Sequence, residues 1–120
     1  MNAKFPLTTI LNTVCDYYQI AVSEIKSKNR KTHLNKARKM FYYVANEFSK
    51  STLQQKADMI GIRHETVLHH INDIKILKDL YPDIKKDIEA ITVKLFTEKT
   101  IIVVDIDLLK LTENYSKLFI

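Results

Sequence analysis

Two residues after Gly61, the chain's single glycine, begins the run Arg63, His64, Glu65 and Thr66, followed by His69, His70 and Asn72. These side chains can ligate, transfer protons or recognise hydrogen-bonding groups, and their spacing separates the options. His64 and His69 are five apart and His69 and His70 are adjacent, so neither pair has the i, i+4 spacing that puts two imidazoles on one helix face. Glu65 and His69 do have it, but a structural zinc site takes four ligands, usually with thiolates among them. No metal is expected. Catalysis is equally unsupported: there is no glycine-rich phosphate loop, no nucleophile beside a base and no isolated carboxylate pair. The expectation is a protein that is not an enzyme and needs no cofactor. What remains is recognition by donors and acceptors.

The charge pattern points the same way. The 120 residues carry a net charge of +5, and the excess lies in one block: Lys26, Lys28, Arg30, Lys31, Lys36, Arg38 and Lys39, with no acid between them. A cationic patch on a neutral body suits a polyanion. His33, inside this block, is expected to neighbour phosphates rather than to catalyse. The single cysteine, Cys15, excludes an internal disulfide, and its apolar neighbours predict a buried thiol.

Helices must position these groups. One glycine and two prolines are too few for the tight turns of a sandwich or barrel. Ile10, Leu11, Val14, Tyr17 and Tyr18 recur at helical spacing, with Thr8 or Thr9 as the N-cap, and Ser23 can cap a short turn. The basic block begins as a loop and runs into a long helix whose apolar face is Leu34, Ala37, Met40, Phe41, Val44, Ala45 and Phe48. Lys36, Arg38 and Lys39 are expected mostly off that face, and Tyr42 and Tyr43 in or at the rim of the core. Ser51 or Thr52 caps a short helix with Leu53, Ala57 and Ile60 inward, and Gly61 ends it in the left-handed conformation. The next helix buries Val67, Leu68, Ile71, Ile74 and Leu77 and stops at Pro82. A last helix begins about Pro82, with Ile84, Ile88, Ile91 and Leu95 inward. Ile101 to Val104 are β-branched and suit a strand, whereas the residues after them suit an amphipathic helix equally. No run of 18 apolar residues is present to span a membrane, and the N-terminus has no secretory apolar core, so the expected location is the cytoplasm.

Two helices joined through a glycine turn, the second with polar residues at its start, form the pattern of a helix-turn-helix, whose second helix enters the major groove. There Arg63 can donate two hydrogen bonds to guanine and Glu65 can accept from a cytosine amino group. Thr66 can use its hydroxyl, or its methyl against thymine. His64 can donate to a phosphate or a base.

"TVCDYYQIAVSEIKSKNRK", "ARKMFYYVANEF", "GIRHETVLHHINDI" and "DIKKDIEAI" resemble, in order and spacing, the C-terminal DNA-binding domain of the bacterial chromosomal replication initiator DnaA. The resemblance covers roughly residues 8–95 and is most specific at His64, Thr66, Val67, Leu68 and His69, where that family usually carries Gly-Gly-Arg-Asp-His-Thr-Thr-Val-Leu-His. It implies an all-α fold of the DnaA C-terminal or Trp-repressor-like kind that binds short double-stranded boxes near replication origins. Arg30 looks like the arginine of the family's basic loop that enters the minor groove, and Arg38 matches an arginine of the following helix that contributes to DNA contact. Ile62, Arg63 and Glu65 depart from the family's Arg, Asp and first Thr. Because a carboxylate seeks an amino donor, Glu65 implies a target other than the usual box. Nothing resembles a P-loop, so no nucleotide is expected.

Residues 1–97 are thus read as a helical DNA-binding domain and 98–120 as a C-terminal extension that offers a dimerisation element, or simply packs over the core. The expected partner is double-stranded DNA, with a second copy of the chain as a further partner through the extension, in the bacterial nucleoid. Lys28, Arg30, Lys31, Lys36, Arg38 and Lys39 are the expected phosphate and minor-groove contacts. Arg63, His64, Glu65, Thr66 and His69 are the expected base readers. The expected role is that of a regulator or replication accessory factor. The competing reading is a protein-interaction module that keeps the scaffold but has lost specific DNA reading.

Overall fold

Pro6 sets the entry to the first helix. Its backbone is extended (φ −62°, ψ 149°) and its carbonyl accepts the N–H of Ile10 at 3.2 Å, so the helix opens at Leu7. The threonine caps expected at Thr8 or Thr9 are therefore not used; both lie inside the first turn. The computed structural model describes residues 5–103, and these form six helices: α1 (Leu7–Tyr18), α2 (Val22–Ile25), α3 (Thr32–Phe48), α4 (Leu53–Ile60), α5 (His64–Leu80) and α6 (Pro82–Val103). The all-α expectation holds for them. α1 ends on Gln19 in the left-handed conformation (φ 56°), where its side-chain amide donates to the Asp16 carbonyl at 2.7 Å. The N-cap of α2 is Ala21 rather than Ser23: the Ala21 N–H donates to Glu24 Oε1 at 3.1 Å.

α3 is the central element and packs against α1, α2, α5 and α6. Its buried side is broad because Leu34, Ala37, Met40, Phe41, Val44 and Ala45 are joined by Tyr42 and Tyr43, both buried as expected. Ile10, Leu11 and Val14 of α1 meet it from one side, Val67, Ile71 and Ile74 of α5 from another, and Ile91 and Leu95 of α6 close the core. Each large apolar side chain buried here contributes about 1.5–3 kcal/mol. Cys15 is buried, and burial, aided by Asp16, pushes its thiol pKa up, so it behaves as a small apolar residue.

Two expectations about the later helices change. Leu68 is not part of the buried stripe of α5: it is 47% exposed, while its neighbour Val67 is fully buried. α6 runs past residue 97 and through Ile101–Val103, so those β-branched residues extend a helix instead of starting a strand. The rest of the extension, residues 104–120, lies outside the described residues. No helix among the described residues is long and apolar enough to cross a membrane.

Candidate nucleic-acid interface

The turn between α4 and α5 is built from local signals. Thr52 caps α4: its Oγ1 accepts the Gln55 N–H at 3.1 Å, and Gln55 Oε1 accepts the Thr52 N–H at 2.8 Å. Gly61 has φ +89°, and the N–H groups of Gly61 and Ile62 both donate to the Ala57 carbonyl, at 2.7 and 3.1 Å. This closes α4 and reverses the chain, so that Arg63, extended, becomes the N-cap of α5. Lys56 strengthens the α4 entrance from inside. It is buried, and its Nζ donates to the Ser51 carbonyl at 2.7 Å; burial lowers its pKa.

The exposed end of α5 holds an interlocked polar cluster. Glu65 Oε1 lies 2.9 Å from His64 Nε2, and Glu65 Oε2 pairs with Arg63 Nε at 3.3 Å. Glu65 also lies in the first turn of α5, where the helix dipole favours a negative charge. All three side chains face solvent, so the pairs add little stability. Their chemical effect is to pre-orient a carboxylate between two donors, with acceptor capacity left over.

About two turns on, Asp73 Oδ2 joins two elements. Lys39 of α3 donates to it at 3.3 Å, and His69 Nε2 lies 3.7 Å away. Thr66 is half-buried. His70 turns inward and stacks on Tyr42, with ring centroids 5.6 Å apart and planes 23° apart. Its Nδ1 and the Tyr42 hydroxyl are both buried and without a hydrogen-bond partner among the described residues. Burial first, and Lys39 next, lower the His70 pKa; burial raises that of Tyr42.

The six cations of the basic block expected to contact DNA separate into three groups. Arg38 is directed into the protein, only 6% exposed. Its Nε donates to the Ile25 carbonyl at 2.7 Å, Nη1 to the Asn29 carbonyl at 2.7 Å and Asn35 Oδ1 at 2.9 Å, and Nη2 to the carbonyls of Ser27 at 2.8 Å and Glu24 at 3.2 Å. All five guanidinium N–H groups are thus occupied, four of them by backbone carbonyls at the end of α2 and in the loop to α3. The expectation of Arg38 off the buried face fails because Arg38 lies four residues after Leu34 and three before Phe41, on the apolar stripe itself.

Lys36 and Lys39 form the second group, each on an acid from a distant helix. Lys36 Nζ lies 3.2 Å from Asp87 Oδ2 of α6, and this carboxylate also accepts the hydroxyls of Tyr17 and Tyr18 at 2.8 Å each. Burial alone would raise the Asp87 pKa, but the two hydroxyls and Lys36 outweigh it and hold it below the ordinary value. The third group is Lys28, Arg30 and Lys31: exposed, on the loop that Arg38 holds, and without an ion-pair partner among the described residues. The structure therefore brings Arg63, His64 and Glu65 together, links Lys39 to His69 through Asp73, and leaves Arg38 apart from the surface cations. Among the described residues no cluster of three His, Cys, Asp or Glu is arranged to hold a metal.

Lys56 is the residue that sequence reasoning missed. Its signal was present: it sits three residues after Leu53 and four before Ile60, on the inward stripe of α4.

Comparison with known proteins bears on this geometry. Residues 7–74, more than half the chain, match the family described as bacterial dnaA protein helix-turn-helix. The match takes in the basic loop, Gly61 and the exposed end of α5. The chain is 33% identical over 91 residues to the chromosomal replication initiator protein DnaA of Laribacter hongkongensis (strain HLHK9), covering 75% of this chain and 19% of that protein. It is 33% identical over 76 residues to the protein of the same name from Pseudothermotoga lettingae (strain ATCC BAA-301 / DSM 14385 / NBRC 107922 / TMO), covering 63% and 17%. The chain thus spans under a fifth of the length of these relatives.

Proposed function

This chain belongs to the bacterial DnaA helix-turn-helix family, and we propose on that premise that it binds double-stranded DNA sequence-selectively, with α5 in the major groove and the basic loop on the backbone. The observation that carries the reading is the division of α5. Val67, Ile71 and Ile74 anchor it in the core, while Arg63, His64, Glu65 and His69 stand exposed at the end that follows the glycine turn. That is the end a helix-turn-helix presents to base edges.

In this proposal Lys28, Arg30 and Lys31 neutralise phosphates, Arg30 reaching toward the minor groove, and supply affinity without sequence information. Arg38 acts through them by fixing the loop that carries them. Lys36 and Lys39 contribute less, because each already faces a carboxylate. On binding, Glu65 exchanges part of its contact with Arg63 and His64 for a cytosine amino group, which releases Arg63 toward guanine. The biological role proposed is that of a small regulator or replication accessory factor. No catalytic step is assigned to the chain.

Selection of bound duplexes from a random pool, at several salt concentrations, tests the proposal. A defined sequence should emerge, with affinity falling steeply as salt rises, and Glu65→Ala should change the preferred base at one position by about 1–3 kcal/mol. Paired half-sites in the selected duplexes would report a dimer. Absence of retention on duplex DNA at low salt would overturn the proposal. It would favour the interaction-module reading, for which the exposed Ile76, Leu80 and Tyr81 at the far end of α5 are the surface to examine.

A further inference from the structure

We infer that Leu68 is a base-reading residue of α5, its side chain making apolar contact with the 5-methyl group of a thymine in the major groove. The inference rests on the DNA-binding reading above and extends it to a side chain whose apolar character suggests a core role. A single exposed leucine needs no explanation by itself. The position of this one gives it meaning.

At 100° per residue, His64, Glu65, Leu68, His69 and Asn72 fall within an arc of about 140° on one side of the helix. All five are exposed, while Val67, Ile71 and Ile74, in the arc that begins about 20° beyond His64, are buried. Leu68 lies one turn beyond His64 and one turn before Asn72, inside the arc and not at its edge. Its near neighbours in the arc are hydrogen-bonding groups, so it is the one apolar member of that set; the next exposed apolar side chain in the arc, Ile76, lies two turns further along α5. The only apolar group on the major-groove edge of a base pair is the thymine methyl. Leu68 follows Glu65 by three residues, or about 4.5 Å along the helix axis, a little more than one base-pair step. The expected target therefore carries a thymine within one or two base pairs of the cytosine whose amino group donates to Glu65.

Replacing each thymine of the selected duplex in turn by deoxyuridine removes only the methyl group and keeps every hydrogen-bonding group. For the unmodified protein, one position should lose about fourfold in affinity, the worth of one buried methyl group. Leu68→Ala should bind more weakly, show no further loss at that same position, and melt at the same temperature as the parent. The inference is overturned if no thymine is sensitive to loss of its methyl, if the sensitivity persists unchanged in Leu68→Ala, or if Leu68→Ala melts markedly lower, which would return Leu68 to the core. Sequence-selective binding with a penalty indifferent to Leu68 sinks this inference alone. Failure to select any duplex sinks the DNA-binding reading with it.

Discussion

The Nε–H of Arg38 donates to the main-chain carbonyl of Ile25 at 2.7 Å, thirteen residues earlier in the chain. This contact and its four companions make Arg38 the keystone of the loop that carries Lys28, Arg30 and Lys31. Two arginines eight positions apart in one basic block thus have different jobs, one holding the loop and the other displayed on it.

Their variants should separate. Arg38→Lys leaves several carbonyls between Glu24 and Asn29 without a donor and should cost about 1–3 kcal/mol of stability in urea denaturation, with weaker DNA binding as a secondary effect. Arg30→Ala should leave stability within about 0.5 kcal/mol and lower the salt-dependence slope of DNA binding by about 1. Identical behaviour of the two variants would contradict the division.

The two sides of α5 should differ as sharply. Ile71→Ala empties a core position and should cost about 2–5 kcal/mol, whereas Leu68→Ala, three residues earlier, should lie within about 0.5 kcal/mol of the parent. Thermal melting of both variants checks this. A large loss at Leu68 would place it in the core.

The turn at Gly61 can be tested through its backbone alone. A Cβ there would meet nothing within 4 Å, but φ is +89°. Gly61→Ala should therefore destabilise by about 1–2 kcal/mol through strain, and Gly61→Asn by less, since asparagine tolerates the left-handed region. Equal costs for Ala and Asn would argue against strain as the cause.

His70 predicts a pH dependence. Burial, then Lys39, hold its pKa below the ordinary 6.5, while Asp73 acts in the opposite sense and His69 and Arg38 add to the lowering. The fold thus favours neutral His70 and the unfolded chain binds the proton more readily. The resulting stability is complete above pH 6.5 and declines as pH falls from there toward the folded-state pKa. His70→Phe keeps a ring against Tyr42 and should flatten this part of the profile in denaturant titrations at a series of pH values. An unchanged slope in His70→Phe would assign it to another group.

Much of this was legible in the chain itself. Gly61 as a left-handed stop, Thr52 as a cap and the apolar stripes of α3 and α6 rest on preferences that act within one or two turns, so a linear reading reaches them. The same holds for the location of the candidate site at the start of α5, because a polar N-terminal turn after a glycine is a local pattern.

The fates of the cations and of Leu68 were not local. Lys36 and Lys39 read as free charges until α6 brings Asp87 and α5 brings Asp73 beside them. Arg38 and Lys56 sit on apolar stripes, and burying a cation there depends on acceptors supplied by the fold: four carbonyls of the α2 end and the following loop for Arg38 and that of Ser51 for Lys56. Val67 and Leu68 are adjacent and equally apolar, and only the placement of the other helices decides which is covered. The residue types and their spacing determined the helices, the turn and the chemistry available. Tertiary packing decided which charges remain free and which apolar side chain stays exposed, because burial and ion pairing are set by what other segments bring within a few ångströms.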